Sequence, residues 1–547
     1  MNTQAQEPPD SSTSAVLDSA HLGDIRGAFG TIKQHDTGKR SSWMARFKTF
    51  LAIIGPGLIV MVGDNDAGAF STYTQAGQNY GTTLLWTLML LIPVLYVNQE
   101  MVLRLGVVSG VGHARLILER FGRFWGAFSV IDLFLVNALT IVTEFIGISL
   151  GLSFLGVPKI PGVIVSALLI MAAVSTGNFR RFERFAMVLV FASLLLVPVF
   201  IMVHPPLSRV AHDFLVPTYP HGAKLSDIML LVIGIVGTTV APWQLFFQQS
   251  YVIDKRITTR FIKYERWDLV LGIVLVIIGA VAMMSFAAHT FADKPEFGNF
   301  VDAGAVASGI AKYYGQLPAE LFAIALIDAC IIGASAVSLS TAYAVGDVLS
   351  INHSLHRKPK EALGFYAVYF TLIVIAAALV LIPGTPLGLL TNAVQTLAGV
   401  LLPSASVFLL LLCNDKEVLG PWVNGRKLNI VTAMIVAILV MLSIILTAAV
   451  IFPDISGEAI VAILVGGTVI GVVATIGATI MQNKRTLDEP AQVEPVQDKT
   501  SWRMPSLDKL KPMNLTMSAL MWMGVLRGYL IIAIIMVIYK VAGMTFG

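Results

Sequence analysis

The chain has 547 residues, 56% of them hydrophobic and 13% charged, with a net charge of +4 and a mean hydropathy of +0.78. Soluble domains carry about a quarter charged residues, so a soluble enzyme or a nucleic-acid-binding protein is excluded; apolar stretches of about 20 residues match bilayer thickness. The two cysteines, Cys330 and Cys413, lie in separate apolar segments and form neither a disulfide framework nor a metal-ligand spacing.

Residues 1–45 are polar, rich in Ser, Asp and Gly, and predict a disordered cytoplasmic tail without a cleavable signal. Twelve spans follow, at about 50–75, 82–103, 125–155, 160–177, 184–203, 228–251, 268–291, 320–350, 363–382, 388–413, 428–452 and 458–481. Residues 482–512 read as a flexible cytoplasmic linker, and Leu515 to Val541, with Arg527 near its middle, reads either as a thirteenth span or as an interfacial helix. Basic residues cluster in alternate loops, at Arg104 to Arg123, Arg180 to Arg184, Lys255 to Arg266, His356 to Lys360 and Arg426-Lys427. By the positive-inside rule this places the N-terminus in the cytoplasm. The opposite loop 204–227 carries His204, His212 and His221, whose wide spacing reads as solvated loop histidines rather than a metal site.

Gly63-Asp64-Asn65-Asp66-Ala67-Gly68 lies inside the first apolar run. A charge at mid-bilayer costs about 2.5–3.5 kcal/mol on insertion scales, so the two carboxylates mark a functional site, with a water-lined vestibule or an arginine partner as the plainer reading. The flanking glycines predict a helix break that exposes carbonyls, and carboxylates with carbonyls suit a hard cation. In the sixth span, Gly237-Thr238-Thr239-Val240-Ala241-Pro242 predicts a second break, since proline lacks a backbone donor. The second lies five spans after the first, an odd number, so repeats beginning at each would have inverted topology, a pattern that points to a transporter's midplane site. Gly63 and Gly237 would offer carbonyls; Thr238 and Thr239 offer oxygen or simply pack, and Asn65 either ligates or caps exposed backbone.

These segments resemble the NRAMP family of divalent-metal transporters over about residues 50–450. Gly55-Pro56-Gly57, Gln75-Ala76-Gly77, Tyr80-Gly81 and Leu84-Leu85-Trp86 carry the registration. It lays the family's Asp-Pro-Gly-Asn motif on Asp66-Ala67-Gly68-Ala69 and its Met-Pro-His on Ala241-Pro242-Trp243. Gln395, eight residues before Pro403, falls where the family places a Gln near the metal. The resemblance implies an all-α polytopic membrane protein of the LeuT type, with a five-plus-five inverted repeat and additional C-terminal helices. The core would cover 46–413, in halves of about 46–204 and 226–413, followed by helices at 428–481, the linker and an apolar segment at 513–547. It further implies a plasma-membrane transporter, functional as a monomer, with a divalent cation as cargo and no cofactor.

The departures carry chemistry. Ala241 replaces a soft thioether that favours transition metals, and Ala69 replaces an amide ligand, leaving a wider, oxygen-rich site. Mg²⁺ prefers oxygen and keeps several waters, so the pattern resembles the NRAMP-related magnesium transporter branch, with Mn²⁺ as a second cargo. The metal set is then Asp66 foremost, with Asp64, Asn65, Gly63, Gly237, Thr238, Thr239, Ala241 and Gln395 around it. The family's proton path runs through third-helix acids and sixth-helix histidines; here Trp243 and Gln248 stand for the histidines. Glu144 matches one acid while Ile141 stands for its companion. Glu144 is therefore a lone relay or a structural acid, and transport is expected to be uncoupled from protons. The alternatives are a proton-coupled Mn²⁺/Fe²⁺ transporter and a sodium-coupled solute transporter; a membrane-embedded enzyme would need a nucleophile, base or His-Glu-x-x-His set, none of which occurs in the spans.

Overall fold

The computed structural model describes residues 19–383 except 221, residues 404–452 and 455–469, and beyond these chiefly 502–511 and 520–528, with single residues 391, 394, 471, 473, 499, 513 and 531. Gln395, His221 and most of the tenth span and C-terminal apolar segment lie outside the described residues. The first span is not one helix but three: α1 (Trp43–Ile53), α2 (Pro56–Val62) and α3 (Ala67–Tyr80). Ser42 caps α1 through the amide of Ala45 at 3.1 Å, and α1 and α2 bend by 52° at Gly55. Gly55 has φ +151°, and the Glu183 carboxylate fills the place a Cβ would take, so glycine is required there twice over.

The chain continues through α4 (Trp86–Ser109), α5 (His113–Phe121), α6 (Arg123–Phe154), α7 (Lys159–Val174), α8 (Phe179–Ala192), α9 (Leu196–Val203) and α10 (Leu207–Leu215). The sixth span is split as expected, into α11 (Leu225–Thr239) and α12 (Pro242–Asp254). Then follow α13 (Ile262–Phe291), α14 (Ala303–Tyr314), α15 (Gln316–Leu349), α16 (Leu363–Leu381), a helical stretch at 404–412, and α17 (Arg426–Ile451). At the centre stands α15, apolar on every side and buried throughout Asp328–Ala344, as a helix with no solvent face must be. It packs on α6, α12 and α16, while α13 lies against α2, α3 and α4. Small residues permit these approaches: a Cβ on Gly57 would come within 2.6 Å of the Leu269 amide, and one on Gly272 within 2.6 Å of the Gly57 carbonyl.

Two sequence expectations change. Among the described residues, eight helices are long and apolar enough to cross a bilayer, nine with the bent α1–α2 pair, while most of the expected tenth span and the end of the twelfth lie outside the described residues. The expected spans at 160–177 and 458–481 correspond to shorter described helices, Lys159–Val174 and 457–469. Residues 19–45 are no free tail. Two short antiparallel strands, β1 (Ile25–Arg26) and β2 (Thr31–Ile32), form a hairpin whose Ile25 and Ile32 are buried against the helices. Their few apolar residues were hidden in a polar composition. The described part of the 482–512 linker also folds back, with Trp502 against Gly420 and the Lys499 carbonyl accepting from Trp422 Nε1 at 2.9 Å.

Candidate cation site at the two broken helices

The breaks in α2–α3 and α11–α12 meet in the protein interior. Gly63 closes α2 by donating to the Ile59 carbonyl at 2.9 Å, and Asp64 and Asn65 form a turn against Met61 and Val62. Asp66 is the N-cap of α3, its Oδ1 accepting from the Ala69 amide at 3.0 Å. One carboxylate oxygen is thus committed to the helix end, an arrangement typically worth about 1 kcal/mol. Glu144 on α6 accepts from the Ala67 amide at 3.2 Å. Gly333 of α15 keeps the space between the two acids open, since a Cβ there would lie 3.0 Å from Glu144 Oε2 and 3.2 Å from Asp66 Cβ.

Across from them, Asp64 Oδ1 accepts from Gln244 Nε2 of α12, while Oδ2 has no partner. Gln244 is itself held by Gln99 of α4, which donates to its Oε1 at 3.1 Å. Asn65 does not cap its own backbone: its amide donates to the Val276 carbonyl of α13 at 3.2 Å, leaving Oδ1 unpartnered. Thr239 is committed to packing, through Ile235 O at 2.5 Å and the Tyr73 hydroxyl at 2.7 Å. Thr238 Oγ1 is buried without a partner. Pro242 cannot donate to the Thr238 carbonyl, as a helical residue there would. Ala241 is the N-cap of α12, with extended backbone and no capping side chain.

Three buried oxygens without partners, on Asp64, Asn65 and Thr238, therefore accompany Asp66, and unpaired buried acceptors call for an ion or water. Among the described residues no three His, Cys, Asp or Glu side chains gather to hold a metal ion. An ion here would rest on one or two carboxylates, neutral oxygens and its own water. Asp64, Asn65 and Asp66 are 0%, 3% and 4% exposed, so these side chains are shut off from solvent. Trp243 packs beside Gly63, its ring 3.6 Å from where a Cβ on that glycine would lie, with its backbone carbonyl held by Ser340 Oγ at 2.9 Å.

Gln244, Gln99 and Tyr73 were not singled out from the sequence, although amides within apolar spans are a readable signal. Further acids escaped notice, among them half-buried Asp132, which accepts from Ser404 at 2.9 Å beside Pro242, and buried Asp328, whose Oδ2 has no partner. At the end of α9, His204 bonds the Met202 carbonyl at 2.8 Å, and on α10 His212 pairs with Asp213 at 2.9 Å, so these two histidines are separately engaged.

Two broken helices meeting at buried carboxylates within an apolar helical bundle define a polytopic membrane protein with a buried polar site. Residues 57–449 match the family model described as natural resistance-associated macrophage protein-like, Nramp. The chain belongs to the Nramp family, a family of membrane transporters, and is not an enzyme. It is 28% identical over 410 residues to the divalent metal cation transporter MntH of Ralstonia nicotianae, covering 72% of this chain and 90% of that one. To MntH of Staphylococcus aureus it is 24% identical over 421 residues, with the same coverage. A crystal structure of the Eremococcus coleocola manganese transporter superimposes with a TM-score of 0.62 at 22% identity, over 84% of this chain and 98% of that one.

Proposed function

We propose that this protein carries divalent cations across the plasma membrane by alternating access at Asp66, with Mg²⁺ as the principal cargo and Mn²⁺ as a second. The observation that carries this reading is the donor set: buried carboxylate, amide and hydroxyl oxygens without partners on residues at the two breaks, with Ala69 and Ala241 where the family has an amide and a thioether. Without sulfur the site loses its preference for softer metals, and the smaller side chains leave room for retained water. The matching positions of the two breaks support an inverted repeat, and the basic loops support a cytoplasmic N-terminus. Gln395, which lies outside the described residues, completes the proposed set by resemblance alone.

A second reading, manganese as the main cargo, is favoured by the relatives' names, MntH and manganese transporter. Competition separates the two. Mn²⁺ uptake into proteoliposomes is measured with excess Mg²⁺, in wild type and in the Ala69→Asn/Ala241→Met double variant. Mg²⁺ should compete strongly in wild type and about tenfold less well in the variant, a change of about 1.4 kcal/mol. Poor competition by Mg²⁺ in wild type would hand the assignment to manganese.

A further inference from the structure

The hairpin segment 19–41 lies wholly outside the family match, which begins at residue 57. It sits on the face that carries the basic loops, at the point where α1 turns into α2. One buried ion pair organises this place. Glu183 of α8 pairs through Oε1 with Lys255 at the end of α12, at 2.6 Å, and both side chains are fully buried. Through Oε2 the same carboxylate accepts from the Ala28 amide of the hairpin at 2.5 Å. Lys255 in turn donates to the Ile53 and Ile54 carbonyls, at 2.5 and 2.9 Å, at the end of α1. Hairpin, α1, α8 and α12 are thus tied through two side chains.

Three arginines hold the hairpin's backbone down. Arg184 donates to Ala28 O at 3.0 Å, Arg180 to Gly30 O at 2.9 Å, and Arg256 to Ala20 O at 2.6 Å and Asp24 O at 3.2 Å. Gly27 lies so close to the Ala52 carbonyl of α1 that no side chain fits between them. Ile25 and Ile32 join Ala52 and Ile53 of α1, Leu103 of α4 and Val252 of α12 in an apolar cluster separate from the main core. Along the chain α2 leads from this clasp to Asp64, which is fully buried.

We propose that residues 19–41 are a latch on the gate at this face. The latch holds the α1–α2 arm against α8 and α12, and it detaches before the arm can swing and release the cation. The inference rests on the alternating-access reading for what the latch closes. Its test does not depend on which cation is carried.

Ile54, 7% exposed at the end of α1, is replaced by cysteine and reacted with a membrane-impermeant maleimide from the basic face. The native Cys330 and Cys413 are fully buried, and Cys413 reports any global unfolding. Removing two anchors with Arg184→Gln and Arg256→Gln should speed labelling at position 54 at least fivefold, with Cys413 still unreactive. Gly27→Leu, which pushes the hairpin off α1 without touching an arginine, should do the same. Labelling at the wild-type rate in both backgrounds, or a rise matched at Cys413, would overturn the proposal. Labelling raised at position 54 alone, in a protein that carries no divalent cation into proteoliposomes with or without its anchors, would leave the latch standing and count against the transport reading.

Discussion

Asp66 serves two masters, and one substitution separates them. As N-cap it needs only an acceptor for the Ala69 amide, which asparagine also provides; as a cation ligand it needs a charge. Asp66→Asn should therefore keep the melting temperature within a degree or two of wild type while lowering saturable Mg²⁺ and Mn²⁺ uptake at least tenfold. Uptake at the wild-type rate would reduce Asp66 to a cap. Asp66 was legible because an acid in an apolar run has few structural excuses. Gln244 was not, since its role depends on reaching Asp64 from a helix 180 residues away. Thr239 shows the converse: a plausible oxygen donor by sequence, it is spent on Tyr73 and its own helix.

The elements were legible where proline or glycine interrupts an apolar run. Both breaks fall where backbone chemistry demanded them, at 63–66 and 240–241. Loops were less so, and the connection after α15 illustrates why. His353 folds back over Gly346 and is buried, with Nε2 3.1 Å from Asp347 Oδ1 and Nδ1 2.7 Å from the Ile351 carbonyl. Burial alone would depress the imidazole, but the Asp347 hydrogen bond and charge, aided by the Ile351 carbonyl, outweigh it and raise its pKa above the ordinary 6.5. A raised histidine contributes stability that is complete below about pH 6.5 and fades as pH climbs through the folded value. The melting temperature of wild type over His353→Gln should accordingly be highest near pH 6 and narrow towards pH 9. A gap that widens with pH would mean that the imidazole is held neutral.

At the scale of the whole molecule the question is what drives transport. Glu144 lies beside Asp66 across Gly333; by the family resemblance it matches one third-helix acid, while Ile141 stands for the other and Trp243 and Gln248 stand for the sixth-helix histidines. A divalent ion crossing an inward-negative potential gains about 4.6 kcal/mol per 100 mV, which suffices for uptake without a second ion. Uptake into liposomes under a potassium diffusion potential should rise with inside-negative voltage and leave a trapped pH indicator unchanged. Acidification in step with metal entry would establish proton coupling and assign Glu144 to the relay.

Membrane residence, helical class, the two breaks and the acid pair were determined by the sequence itself, because each follows from local chemistry: hydropathy over a span's length, missing donors, charge where water is absent. Partnerships between distant residues were decided only by the tertiary structure. Glu183 and Lys255, placed by their sequence in basic loop regions, are buried as one ion pair under the hairpin. Residues 19–41 look polar enough to stay in solvent, yet they fold because Ile25 and Ile32 find an apolar recess made by α1, α4 and α12, and because three arginines satisfy their carbonyls. Burial of a weakly apolar segment depends on what stands opposite it, and that information is spread over more than two hundred residues of chain.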